Sequence, residues 1–158
     1  MRFMGVTALA MLAIDQLSKY WVVFQLNLLE YGAIDVFPPY LNFRMGWNTG
    51  VNFGLLDGYG DLARWILIFL ASAVCVWVAL WARQDHRPLP NILAGILIGG
   101  ALGNALDRLI HGAVADFLNM SCCGIQNPYT FNIADIGVFV GAIGLAIWPP
   151  QRDHAKAQ

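Results

Sequence analysis

Two aspartates sit in short apolar settings, Val114-Ala115-Asp116-Phe117 and Phe131-Asn132-Ile133-Ala134-Asp135. Two carboxylates held close together in a low-dielectric site cannot both ionise readily. One keeps its proton while the other acts as a base, the chemistry of an aspartyl protease, which activates water and protonates a leaving amine without a metal. Asp135 alone has a second reading, because a carboxylate in the first turn of a helix is favoured by the helix dipole. Asp15 and Lys19 are four residues apart, so they share a helix face and pair. Such a pair either locks a helix to its neighbours or borders an active site. Asn104 and Arg108 also share a face, with Asp107 beside them. A planar guanidinium suits a carboxylate, a backbone carbonyl or a lipid phosphate. Helix-to-helix adhesion is the alternative.

Other chemistries lack their residues. There is no His-Glu-x-x-His, and His86, His111 and His154 are scattered. Ser18, Ser72 and Ser121 have no nucleophile elbow or neighbouring base, and no glycine loop suits a phosphate. Cys75, Cys122 and Cys123 are odd in number and lack C-x-x-C spacing, which supports neither a disulfide framework nor a zinc site. No metal or cofactor is expected, and a net charge of −1 suggests no nucleic-acid partner.

These residues must be positioned by elements suited to lipid. Of 158 residues, 58% are hydrophobic and only 12% charged, about half the charge of a soluble domain. Four apolar runs, near 3–24, 62–81, 92–110 and 132–148, predict an all-α membrane protein with four transmembrane helices in a single domain. Ala8-Leu9-Ala10 resembles a signal-peptidase cleavage site, but the apolar stretch before it is too short for a cleaved leader. Arg2, Arg83, Arg87, Arg152 and Lys156 fall in segments that place both termini in the cytoplasm, against Arg44 and Arg64 outside. Asp15, Lys19, Asn104, Asp107, Arg108, Asp116, Asn132 and Asp135 then converge toward the outer face. In the first outer segment, about 25–60, Leu41-Asn42-Phe43-Arg44-Met45 alternates as a half-exposed strand does, giving a small extracytoplasmic β-element. The second, about 111–131, reads as irregular, with a turn at Asn127-Pro128. Gly99, Gly100, Gly103, Gly141 and Gly144 suit close helix packing.

Five blocks in order along nearly the whole chain resemble the lipoprotein signal peptidases (signal peptidase II). They are Asp15-Gln16-Leu17-Ser18-Lys19, Asn48 to Gly54, Gly99 to Arg108, Val114 to Phe117, and Phe131 to Asp135. The resemblance implies four transmembrane helices, a small extracytoplasmic β-structure and a mobile segment beside it. It implies cleavage of prolipoprotein signal peptides just before a diacylglyceryl-modified cysteine, at the outer face of the bacterial inner membrane. It makes Asp116 and Asp135 the catalytic pair, with Asp15, Lys19, Asn48, Asn104, Arg108 and Asn132 as a supporting polar shell. Membrane lipid and globomycin-type inhibitors are the further implied partners. Asn52 stands where the family has a small residue, and Ala115 replaces a valine. Two other classes compete: a proton-coupled transporter relaying through Asp15, Asp107 and Asp135, and a non-catalytic subunit held by its ion pairs. The first predicts midplane carboxylates and an inverted repeat. The second predicts that Asp→Asn changes affect assembly rather than turnover.

Overall fold

The computed structural model describes residues 1–50 and 60–151. Asn52, Arg152 and Lys156 lie outside the described residues. Helix α1 spans Arg2–Lys19 and continues as a π-helical turn, Tyr20–Gln25. A short helix α2, Leu28–Tyr31, leads into strands β1, Ala33–Phe37, and β2, Leu41–Asn48. Helices α3, Gly60–Ala82, and α4, Pro88–His111, precede strand β3, Val114–Asn119. Helix α5, Ile133–Ile147, closes the fold. The fold is mostly helical with one small antiparallel sheet in the order β1-β2-β3.

Among the described residues, two helices, α3 and α4, are long and apolar enough to cross a membrane. They differ in what surrounds them: 17% of the apolar window of α3 is buried, against 56% for α4. Helix α4 is the axis, packed by α1, α3 and α5, whereas α3 packs on α4. The reason is the glycine pattern. Gly95, Gly99 and Gly103 recur every four residues, and a Cβ on any of them would collide with Thr7, Ala8 or Asp15 of α1. Small residues at this spacing let backbones approach closely, which is how apolar helices gain packing without a hydrophobic driving force. Gly100 faces α5, where a Cβ would stand 2.5 Å from the carbonyl oxygen of Ala134. Gly141 of α5 returns the fit, facing the backbone of Leu93 and Leu97. Pro88 and Pro90 lie in the first turn of α4, where missing N–H groups cost little. Gly112, at φ 82°, ends the helix by donating to the carbonyl of Arg108.

The sheet sits at the end of the bundle where α1 and α4 finish and α5 begins. Strand β2 covers the strand expected at Leu41–Met45 and extends it to Asn48. The expectation of an irregular 111–131 segment is corrected by β3, which pairs with β2 along Asn42↔Asn119 and Gly46↔Asp116. All six β3 residues are buried, so both faces are covered and no polar–apolar alternation marks the strand. Val22, Val23 and Leu28 pack with Ala115, Phe117 and Leu118 in a core distinct from the bundle. The π turn swings Val22 and Val23 onto β3, with Leu26 N–H bonding to Trp21 O at 2.9 Å, five residues back. The Asn127-Pro128 turn is held by Asn119, whose side chain donates to the carbonyls of Asn127 and Tyr129.

Gly100→Ala should push α5 from α4 and destabilise the fold by about 1–3 kcal/mol. Gly5→Ala, where nothing lies within 4 Å of the new Cβ, should be neutral or stabilising by up to about 1 kcal/mol. Thermal unfolding of the two variants in detergent checks both.

Candidate active site

Lys19 is 4% exposed and Asp15 fully buried. One turn of α1 separates them, and Lys19 Nζ reaches Asp15 Oδ2 at 2.7 Å. The same ammonium meets Asp107 Oδ2 of α4 at 2.8 Å. Each carboxylate then takes a donor from another element. Asp15 Oδ1 accepts from the N–H of Ala134 in α5 at 2.9 Å. Asp107 Oδ2 accepts from the N–H of Ala115 in β3 at 3.2 Å, and its Oδ1 accepts from Gln16 Nε2 at 2.9 Å. Gly103 makes this possible, because a Cβ there would stand 2.6 Å from Asp15 Oδ2. Buried charge is tolerable only when paired and hydrogen-bonded in this way.

Above this ionic layer lies an asparagine layer. Asn104 Oδ1 accepts from Lys19 Nζ at 3.4 Å and from Asn132 Nδ2 at 3.2 Å. Asn104 Nδ2 donates to Asp135 Oδ1 at 2.8 Å. Asn132 caps α5: its Oδ1 accepts the Asp135 N–H at 2.9 Å, while Asp135 Oδ2 accepts the Asn132 N–H at 3.1 Å. This is a reciprocal capping box. Asp135 therefore caps the helix through Oδ2 while its Oδ1 accepts from Asn104, which keeps it in the network that reaches Asp116. Asn132 Nδ2 donates to Asp116 Oδ1 at 2.6 Å, and Asn48 Nδ2 donates to Asp116 Oδ2 at 3.0 Å. Asn132 thus touches both aspartates. Asp116, 2% exposed, has its pKa pushed up to about 6, first by burial and then by the charge of Asp135. The bonds from Asn48 and Asn132 pull it back down.

Asp15, Lys19, Asn48, Asn104, Asp116, Asn132 and Asp135 therefore join in one hydrogen-bonded set. Arg108 is attached at its margin, where Nη1 donates to Asn104 O at 3.3 Å and Nε is buried without a partner. Sequence reading named Asp107 but gave it no place in the site. Its signal was its position four residues after Gly103, on the face that meets Asp15. Arg64 was also missed: it donates to Leu109 O at 2.7 Å, tying the start of α3 to the end of α4. Among the described residues, no group of three His, Cys, Asp or Glu side chains is arranged to hold a metal ion. A recess of about 300 Å³ opens at Asp116, lined by Gly46, Trp47, Asn48, Pro128, Tyr129 and Thr130.

Comparison with solved structures gives the class. A bacterial membrane enzyme solved by the in meso method at 1.9 Å resolution superposes with a TM-score of 0.76, at 25% identity over 90% of this chain and 89% of that one. Another, at 2.3 Å resolution, gives 0.73 at 26% identity over 90% and 84%. The chain has the fold of a bacterial membrane enzyme. The family follows from sequence: residues 7–149 match the model of signal peptidase (SPase) II. The lipoprotein signal peptidase of Methylorubrum extorquens is 37% identical over 90% of this chain and 82% of its own length. That of Alteromonas mediterranea is 41% identical over 93% and 79%. The chain belongs to the signal peptidase II family, whose members are proteases that cleave prolipoprotein signal peptides.

Two outcomes follow. Lys19→Met leaves Asp15 and Asp107 buried without their cation and should destabilise by about 3 kcal/mol or more, read by thermal unfolding in detergent. For Asp116 the folded pKa lies above the ordinary 3.8. Its contribution to stability is therefore complete below pH 3.8 and is lost as pH rises through about 6. Asp116→Asn should flatten this fall. An unfolding series from pH 4 to 7 that gives wild type and variant the same slope would contradict the raised pKa.

Proposed function

We propose that the chain is an aspartyl endopeptidase in which Asp116 and Asp135 form the catalytic dyad. The observation that carries this reading is Asn132, which bonds to both carboxylates and so ties β3 to the first turn of α5 at one point. One carboxylate takes a proton from water as its oxygen attacks the scissile carbonyl carbon. The other gives its proton to the carbonyl oxygen, forming a tetrahedral diol. On collapse the C–N bond breaks, the leaving amine takes a proton from the dyad, and the new carboxyl keeps the water oxygen. Burial and the charge of Asp135 raise the pKa of Asp116, so it keeps its proton to a higher pH than an ordinary carboxyl. Asn48, Asn104 and Asn132 hold the dyad, Lys19 and Asp15 hold the asparagines, and Arg108 positions the substrate backbone.

The substrate is a prolipoprotein cut before its diacylglyceryl-modified cysteine, with the acyl chains kept in lipid beside the helices. In this reading α1 and α5 join α3 and α4 as spans of a single domain in the bacterial inner membrane. Both termini are cytoplasmic, and the sheet lies outside. Globomycin-type peptides would occupy the same recess. Large exposed apolar side chains on α1 and α5, such as Leu9, Leu17 and Phe139, support the four-span reading, because they suit hydrocarbon rather than water.

Asp116→Asn and Asp135→Asn should each abolish cleavage of a diacylglyceryl-modified prolipoprotein in vitro while the purified protein remains folded. Members of a catalytic unit fail together, so each loss should be on the order of 1,000-fold or more. Substantial turnover by either folded variant would remove that aspartate from the chemistry. Normal turnover with failed membrane assembly would favour the ion-pair scaffold.

A further inference from the structure

Strand β2 outruns its partner β1. Their pairing goes from Phe37↔Leu41 to Ala33↔Arg44, and the last bond across is Met45 N–H to Gly32 O at 2.9 Å. On its other side β2 stays paired with β3 through Gly46↔Asp116 and Trp47↔Ala115 to Asn48↔Val114. Residues 46–48 therefore have β3 on one side and, among the described residues, no strand on the other.

The alternation of an antiparallel ladder decides which backbone groups face that open side. Opposed residues either exchange both N–H···O bonds or turn these groups away from each other. Ala115 turns its N–H away from β2, to Asp107 Oδ2 at 3.2 Å. Trp47↔Ala115 is therefore a non-bonded pair, and the N–H and C=O of Trp47 point to the open edge. Met45, two residues earlier, points its N–H to the same side, at Gly32. No hydrogen bond takes up either Trp47 group among the described residues.

This edge borders the recess at Asp116. Opposed residues share a face, so Gly46 and Asn48 lie on the face of Asp116, and Asn48 Nδ2 meets its carboxylate at 3.0 Å. The Trp47 ring is on the other face, 5.6 Å from the His111 ring between centroids. Yet Gly46, Trp47 and Asn48 all line the recess. A space that meets three consecutive residues of a strand meets its edge, because side chains alternate between faces. Trp47 thus reaches the recess through its backbone. Proteins commonly guard an open edge with charged side chains or proline. Gly46-Trp47-Asn48 carries neither. An unguarded N–H and C=O at a sheet edge suit an extended peptide, which adds itself as a strand. Acyl chains have no such groups, and a helix has already used its own.

We propose that residues 46–48 of β2 take the substrate peptide as an added strand beside Asp116, an assignment that rests on the endopeptidase reading above. The Trp47 N–H donates to one substrate carbonyl, and its C=O accepts one substrate N–H. The stretch flanking the scissile bond is then held extended, whatever the conformation of the signal segment in the bilayer.

An ester scan of a diacylglyceryl-modified peptide substrate tests this. Each backbone N–H flanking the scissile bond is replaced in turn by oxygen, which removes one donor and leaves every side chain in place. The position whose N–H meets Trp47 O should lose roughly tenfold in kcat/KM, as a lost hydrogen bond of about 1.4 kcal/mol gives. Its immediate neighbours, whose N–H groups point the other way in a strand, should keep nearly full turnover. On the enzyme, replacing Trp47 by its α-hydroxy acid analogue keeps the ring and removes the N–H. This variant should raise KM roughly tenfold, with folding checked by thermal unfolding in detergent. A flat scan, or equal losses at adjacent positions, would overturn the proposal whether or not the enzyme variant folds. So would a folded variant with unchanged KM. Failure of the all-amide parent to be cleaved would instead count against the endopeptidase reading itself.

Discussion

One ammonium group holds this fold together at its functional end. Lys19 is shared between Asp15 on its own helix and Asp107 on α4, and both carboxylates pass the constraint onward. Asp15 fixes the N–H of Ala134 just inside α5, and Asp107 fixes the N–H of Ala115 just before Asp116. The two candidate catalytic residues are therefore each next in the chain to a backbone group pinned by the same buried ion triad. Such a triad is not a cheap source of stability, since desolvation offsets most of its Coulomb gain. What it supplies is position: α1, α4, α5 and β3 meet in one geometry.

The ionic layer and the Asp116–Asp135 pair are separated by uncharged amides, and this bears on the charge of the pair. A lysine bonded directly to Asp116 would favour the carboxylate and erase the raised pKa. Here Lys19 is saturated by Asp15 and Asp107, and its further contact is Asn104 Oδ1 at 3.4 Å. Asn48, Asn104 and Asn132 donate to the aspartates through neutral amides. They hold orientation, and the pKa of Asp116 stays raised despite the bonds from Asn48 and Asn132. Asparagine is the side chain that can accept from a cation on one side and donate to a carboxylate on the other, which is what Asn104 does.

Local spacing made part of this legible in the sequence. The four-residue interval of Asp15 and Lys19 gives their pairing, and Asp135 at the start of an apolar run gives a carboxylate in the first turn of a helix. The glycines of α4 announce close packing. What escaped depends on tertiary context. Strand β3 is covered on both faces, so it carries no period of two. The π turn lies in an unbroken apolar stretch, Tyr20-Trp21-Val22-Val23-Phe24, which reads as ordinary helix. Asp107 looked like a companion of Arg108, because the partner that matters, Lys19, is 88 positions away. The free edge at Trp47 depends on β1 stopping short of it, which no local pattern encodes.

Helix α5 has fifteen residues, a rise of roughly 22 Å, whereas a bilayer's hydrocarbon core is about 30 Å thick. On the four-span reading, Trp148 and the prolines after it rest at the inner boundary, and the dyad at the other end of α5 lies several ångströms below the outer one. The scissile bond must then be delivered downward into a well. A polypeptide tethered by acyl chains at the cut site reaches that depth, while a free chain with the same residues would have to leave water to get there. On that reading depth would act as a ruler, selecting where a substrate is anchored as well as what its residues are.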